Sequence, residues 1–238
     1  MWLSDPGAPQ LLFDVVVHLG TLAAIALVLR RRLAALIRAM PSLLPGREPA
    51  PGRETDRRWL ILIALGSVPT AVIGLSLRGT VEVMHVQPRW VGPALLVTAF
   101  LLVAAERCGR RDRGPEALGL ADAIIVGVAQ GFGVVPGISR SGSTVAAALW
   151  RGARADVSVE FSILLSVPAV LGANVLEITG AGISTISGEI LPLLVGFGAA
   201  FATGVLSLKA LQWVVTRRKL LPFAVYCAVL GGGVMLFG

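Results

Sequence analysis

The sequence predicts an all-α polytopic membrane protein built from two inverted three-span repeats plus one re-entrant helix pair. Three features of the chain predict it. Apolar residues come in long unbroken runs, basic residues gather in alternate connections between those runs, and the connection between the third and fourth runs is rich in glycine and serine.

Of the 238 residues, 55% are hydrophobic and 15% are charged, whereas a soluble domain carries about a quarter charged residues. That shortage of polar surface excludes an ordinary soluble domain. The runs 13–29, 59–77, 90–105, 157–176, 190–215 and 221–237 each reach or approach the ~20 apolar residues that cross a bilayer as a helix. Six spanning helices follow, in a single membrane domain over 1–238. The first run has no basic region ahead of it and no small-residue cleavage site behind it, so it is not read as a signal peptide. Cys108 falls in a connection and Cys227 in a run, neither with a partner at metal-ligand spacing, and both read as structurally silent.

The charges orient these spans. The connection after the first run holds Arg30, Arg31, Arg32, Arg38, Arg47, Arg53, Arg57 and Arg58. The one after the third holds Arg107, Arg110, Arg111 and Arg113, Arg151 and Arg154 fall on the same side, and Arg217, Arg218 and Lys219 follow the fifth run. Of the 21 Lys and Arg residues only Arg78, Arg89, Arg140 and Lys209 lie elsewhere. The positive-inside rule then makes the basic side cytoplasmic and puts both chain ends, including Gly238, outside. The net charge of +7 therefore serves topology and contact with anionic lipid, and nucleic acid is excluded as a partner. Arg151 is expected to have this topological role alone. Lys209, late in its run, can snorkel to the interface, and His85 is expected to be solvated in an external loop. Trp59, Trp90, Trp150 and Trp213 lie near run ends, as interfacial anchors do.

Residues 119–152 are too polar to form one span. They read as an apolar helix over 120–129, a glycine- and serine-rich stretch over 130–144, and a second short helix to Trp150. The arginine pattern requires both ends on the basic side, so the segment dips in and returns. Irregular backbone at membrane depth is tolerated only where protein buries it or a watery cavity reaches it.

The residue types at the tip suit one ligand, a phosphate group. Gly137 and Gly142 allow backbone turns that expose successive N–H groups as an anion nest. Ser139, Ser141, Ser143 and Thr144 offer hydroxyls, and Ser143 or Thr144 is expected to cap the following helix, whose N-terminal dipole also favours an anion. Arg140 adds a planar fork of donors matched to phosphate oxygens. An intramembrane arginine costs several kcal/mol to place and is functional by default. A purely structural pairing with Glu160 is the competing reading.

Gln130-Gly131 followed by Pro136-Gly137-Ile138-Ser139-Arg140-Ser141-Gly142-Ser143-Thr144 resembles the second signature of the undecaprenyl-pyrophosphate phosphatase, or bacitracin-resistance, family. Glu160 to Ala169 is similar to that family's next helix, and Phe13 to Leu22 to its early membrane helix. The resemblance implies hydrolysis of undecaprenyl (polyprenyl) diphosphate to the monophosphate and phosphate, recycling the lipid carrier of cell-envelope precursors in the bacterial inner (plasma) membrane. It implies a divalent cation, Mg²⁺ or Ca²⁺, as helper. It implies catalytic roles for Arg140, Ser139, Ser141 and Thr144, with Gly137, Gly142, Ser143 and Gln130 binding the diphosphate. The family's earlier signature, which carries two glutamates and a histidine, has no match in residues 1–12, and no metal ligand is assigned. Asp14 and His18 are poor substitutes, since both belong to the helix that follows it.

The chain also repeats itself. Aligning Phe13 with Phe161 puts Gly20 on Pro168, and aligning Gly66 with Gly196 puts Gly74 on Gly204. The excess length between these matches falls in the Arg/Pro-rich connection 41–58. Three spans per repeat is odd, so the halves, 1–118 and 119–238, are inverted, as in many transporters. On this alignment the first half lacks its own re-entrant pair, by truncation or by a start codon placed too late, and the 238 residues alone are expected to turn substrate over poorly. A polyprenyl-phosphate translocator and an inactive truncated remnant are the alternative readings. No oligomeric state is read from the sequence. A reporter fused after Gly238 should be active outside the cytoplasm and one inserted in 41–58 active inside, whereas reversed activities contradict the arginine argument.

Overall fold

The computed structural model describes residues 8–85, 87–107, 111–181 and 190–237. Cys108, Arg110 and Gly238 lie outside them, as do residues 1–7 of the segment searched for the earlier signature. Within the described residues the chain is helical: α1 (Ala8–Val28), α2 (Arg30–Ala39), α3 (Glu54–Ser76), α4 (Arg78–His85), α5 (Val91–Arg107), α6 (Leu120–Phe132), α7 (Arg140–Trp150), α8 (Ala155–Ala181), α9 (Ile190–Thr216) and α10 (Leu221–Phe237). Every apolar run of the sequence lies on one of these helices. Three stretches, Glu54–Ser76, Ala155–Leu176 and Ile190–Thr216, are long and apolar enough by themselves to cross a membrane, and a fourth span is counted if the bent pair Leu12–Val28 and Arg30–Leu43 is one. This is an all-α membrane protein.

The chain forms two compact units. The smaller contains Met1–Ala34 and Val167–Leu211, the larger Ala35–Ser166 and Gln212–Gly238. Each unit draws segments from both sides of residue 118, so this division differs from that of the sequence repeat. In the smaller unit α1 packs along α9 with the two chains parallel. A Cβ on Gly196 would lie 2.6 Å from the Phe13 ring, one on Gly20 2.7 Å from the Phe197 carbonyl, and one on Gly204 2.9 Å from Ala24.

The larger unit carries the dipping segment, and its packing follows from small residues at helix crossings. Close backbone approach substitutes for the hydrophobic driving force that lipid cannot supply. Gly66 of α3 meets Ala123 of α6, and any Cβ on Gly127 would collide with the Gly66 carbonyl. Thr70 Oγ donates to the Gly66 carbonyl (3.0 Å) or the Gly127 carbonyl (2.9 Å), tying the two helices at the same level. Further along, Gly131 of α6 sits against Ile73 of α3, so α3 and α6 run parallel. Gly92 of α5 faces Gly231 and Met235 of α10. At the other end of that antiparallel pair the Leu220 N–H donates to Glu106 Oε2 at 2.8 Å.

One expectation is corrected here. Trp59 is fully buried, not an interfacial anchor: its ring meets Phe161 of α8 edge-on at 5.5 Å, and its indole N–H donates to the Pro115 carbonyl at 2.9 Å. Trp59 lies on the face of α3 that α8 covers. Trp90, Trp150 and Trp213 are exposed at helix ends, as expected. Residue 85 closes the short helix α4, where the sequence suggested only a loop.

The Gly66–Gly127 crossing is testable. Gly127→Ala should lower the thermal unfolding midpoint of the detergent-solubilised protein, with overpacking costing about 1–3 kcal/mol. Gly172→Ala, where a Cβ meets nothing within 4 Å, should leave the midpoint unchanged or slightly raised.

Candidate functional site: an arginine at the tip of a helical hairpin

Residues 119–152 form an antiparallel hairpin of α6 and α7. Near the tip, Ser143 Oγ of α7 donates to the Ala129 carbonyl of α6 at 3.2 Å. At the base, Arg151 Nε donates to Asp122 Oδ1 at 2.7 Å. These contacts keep one register, so the segment returns to the end from which it set out, as the sequence predicted. The 13 residues of α6 reach about 20 Å at 1.5 Å per residue.

Asp122 organises the base. Its buried carboxylate receives Arg113 through both terminal nitrogens (3.1 and 2.7 Å), Arg151 through Nε, and the Gly119 N–H at 2.8 Å. The Arg113 backbone pairs with residues 152 and 154, and its guanidinium also donates to the Arg151 carbonyl at 2.6 Å. The hydrogen bond to Asp122 raises the Arg113 guanidinium above its ordinary pKa, against a smaller opposing effect of burial, so it stays charged. Arg151 therefore does more than orient the protein. Its Nε holds the only acid of the hairpin, which the charge tally could not reveal.

The turn begins after Phe132. Gly133 accommodates the stem of Arg140, whose Cβ lies 2.8 Å from where a Cβ on Gly133 would be. Gly137 has φ +93°, the left-handed region where a side chain is strained, and a Cβ there would also strike the Val91 carbonyl of α5 at 2.7 Å. Thr98 of α5, only 1% exposed, fixes this turn. Its hydroxyl accepts from the Ser139 N–H at 3.0 Å and donates to the Gly137 carbonyl (2.9 Å) or the Ala94 carbonyl (3.2 Å). Backbone groups of the turn thus find partners inside the protein, as irregular chain must wherever water cannot reach it.

The helix cap differs from expectation. Ser139, not Ser143 or Thr144, caps α7: its Oγ accepts from the Gly142 N–H at 3.1 Å, and its carbonyl accepts from the Ser143 N–H at 2.8 Å. Gly142 accordingly lies in the first helical turn rather than in a bend, and its N–H is used internally. Ser143 and Thr144 are buried and return their hydroxyls to the hairpin: Ser143 to the Arg140 carbonyl (3.0 Å) or Ala129, Thr144 to the Arg140 (2.9 Å) or Ser141 (3.2 Å) carbonyl. Gln130, 1% exposed, donates from Nε2 to the Leu165 carbonyl of α8 at 3.1 Å, and its Oε1 has no partner among the described residues.

What remains open at the tip is a compact set of donors. Arg140 and Ser141 are exposed. Among the described residues no acceptor bonds the Arg140 guanidinium, in contrast to Arg113 and Arg151. As the first two residues of α7, Arg140 and Ser141 have backbone N–H groups that no carbonyl of their own helix can satisfy. The Ser141 hydroxyl and the proton of Ser139 Oγ add two further donors. Of the sequence candidates, Ser139, Arg140 and Ser141 thus come together at the surface, Gly137 shapes the turn beneath them, and Gln130, Gly142, Ser143 and Thr144 stand behind. Such an array binds an oxyanion. Among the described residues no three His, Cys, Asp or Glu side chains lie together as around a metal ion.

The sequence profile of the bacitracin resistance protein family BacA matches residues 2–233. The chain belongs to that family. An undecaprenyl-diphosphatase of Desulforapulum autotrophicum is 37% identical over 94% of the chain and 83% of its own length, and one of Syntrophotalea carbinolica is 39% identical over 94% and 82%. A relative of the same name, from Korarchaeum cryptofilum, is 36% identical over 92% of the chain and 82% of its own length.

Reading residues alone singled out the tip but missed Thr98, Asp122 and Gly133. A lone hydroxyl in an apolar run and a lone carboxylate in an apolar helix were the available signals. Thr98→Val keeps the side-chain shape but strips the Ser139 N–H of its acceptor. It should weaken binding of inorganic diphosphate roughly tenfold, the order expected for an unsatisfied buried group, while Thr98→Ser binds nearly normally. Titration calorimetry reads both.

Proposed function

We propose that the chain is an undecaprenyl-diphosphatase, a membrane hydrolase that cleaves the phosphoanhydride of undecaprenyl diphosphate to give the monophosphate and inorganic phosphate. The observation that carries this is the unpaired Arg140 at the tip of the hairpin, beside two open N–H groups and two serine hydroxyls, in a chain of this family. Water adds to the terminal phosphorus, the bond to the bridging oxygen breaks, and the bridging oxygen leaves with the lipid-bound phosphate. Negative charge grows on the bridging and terminal oxygens as this happens. A guanidinium already in place, with fixed N–H dipoles around it, stabilises that charge without reorganising, which is the largest single contribution in many such reactions. Ser139 and Ser141 orient the same oxygens. Gly137, Gly142, Ser143, Thr144 and Gln130 hold the tip in shape from behind. A divalent cation, Mg²⁺ or Ca²⁺, belongs to this proposal on the family resemblance alone, as a group that would neutralise charge on the diphosphate.

The packing supports the inverted repeat. Parallel α1 and α9 correspond, in the sequence alignment, to α8 and α3. Those two also meet closely, through Gly66 against Leu165 and Trp59 against Phe161. In the sequence one pair ends in basic residues, at Arg30 and Arg217, and the other begins after basic residues, at Arg58 and Arg154.

The same reasoning supports an approach from the side opposite the basic connections. Along α3, Trp59 lies level with the hairpin base and Ile73 level with Gly131, a separation of about 21 Å at 1.5 Å per residue. That is most of the roughly 30 Å hydrocarbon thickness. Gly137 accordingly rests on the first turn of α5, next to Arg89 and Trp90. With the basic side cytoplasmic, the tip opens toward the outer leaflet.

Phosphate release from undecaprenyl diphosphate by the purified protein tests the activity. Arg140→Lys keeps the charge but loses the two-pronged contact, and turnover should fall about a hundredfold or more, the scale of losing one preorganised donor. Near-normal turnover at normal membrane levels would show that the arginine is structural. Movement of the monophosphate across liposomes without phosphate release would favour a translocator.

A further inference from the structure

Beyond the hairpin, the most distinctive surface of the molecule is α2. Helix α1 turns by 88° into the segment Arg30–Leu43 that α2 begins. The 21 residues of α1 suffice to cross a bilayer at about 31 Å. The ten residues of α2 include Arg30, Arg31, Arg32 and Arg38, which hydrocarbon would not accept. A bent single span is therefore the poorer description. An upright α1 leaves α2 lying in the plane of the membrane surface.

The faces of α2 match that position. Leu36 and Ala39 are buried against the protein. Ile37 is 62% exposed and Met40, three residues on and so on the same face, is 54% exposed, with Leu44 beyond them also 54% exposed. Arg30 and Arg31, at the start of the helix, are exposed as well. Water is a poor environment for Ile37 and Met40, and acyl chains are a poor one for the arginines. Only a boundary between the two satisfies both.

We propose that α2 is an interfacial helix that binds an anionic lipid surface, with Ile37 and Met40 set in the acyl boundary and the exposed Arg30 and Arg31 on lipid phosphates. Charge complementarity commits the occupant: several cationic side chains gather beside an apolar stripe. This inference does not depend on the proposed reaction. It would stand for any activity of the hairpin.

The test places an environment-sensitive fluorophore at Ile37→Cys, in a chain carrying Cys108→Ser and Cys227→Ser, reconstituted with brominated phosphatidylglycerol or brominated phosphatidylcholine. Both lipids should quench the label, and aqueous iodide should quench it weakly. The association constant of phosphatidylglycerol relative to phosphatidylcholine should exceed one. It should fall roughly fivefold for each arginine removed in Arg30→Gln and Arg31→Gln, the scale of one basic residue at an anionic surface. The double substitution to lysine should retain the preference, which separates charge from misfolding. A label open to iodide but not to brominated lipid overturns the proposal, and so does a relative constant of one in the unsubstituted helix.

Discussion

A single buried carboxylate sets up the rest of the larger unit. Asp122 gathers Arg113, Arg151 and the Gly119 N–H at one end of the hairpin, so both legs of α6 and α7 are pinned where they leave the basic side. Two guanidinium groups on one carboxylate would be an unprofitable arrangement in apolar surroundings if their remaining donors were idle. Here Arg113 spends them on the carbonyls of Ala117 and Arg151, and both guanidiniums keep partial contact with water. The clamp thereby converts a polar stretch of chain into two legs of fixed register, and the register decides what arrives at the tip.

The tip shows how one sequence divides labour among similar residues. Of Arg113, Arg140 and Arg151, only Arg140 is without an acceptor among the described residues. Four hydroxyls follow Gly137 closely, yet those of Ser143 and Thr144 turn inward to carbonyls while Ser141 faces out. The start of α7 at Arg140 makes this division. It places positions 143 and 144 a turn inside the helix, on its packed side, and leaves positions 140 and 141 with N–H groups that a helix cannot satisfy by itself. The open donors at the tip are thus a consequence of where a cap falls, and Thr98 and Ser139 fix that place.

Much of this was legible in the residues. Long apolar runs gave the helices, and the glycine- and serine-rich stretch around Gly137 and Arg140 gave the hairpin. The misreadings share a cause. Trp59 was assigned by its position near a run end, Arg151 by its place in a charge tally, and the cap by proximity to the next apolar stretch. Each of these depends on which face of a helix meets which neighbour, and a face is chosen by packing: Phe161 for Trp59, Asp122 for Arg151, Gly142 for Ser139. Thr98 was invisible for the same reason, since a threonine in an apolar run satisfies its own helix equally well until a turn from elsewhere in the chain comes to rest on it.

The account turns on the claim that the diphosphate is received at the start of α7. A structure of the protein with a non-hydrolysable polyprenyl diphosphonate tests it most directly. The account predicts phosphonate oxygens on the Arg140 guanidinium, within hydrogen-bond reach of the Arg140 and Ser141 N–H groups, with Thr98 still holding Ser139. A headgroup bound elsewhere, with the Arg140 guanidinium turned to a carboxylate of the protein, would contradict it.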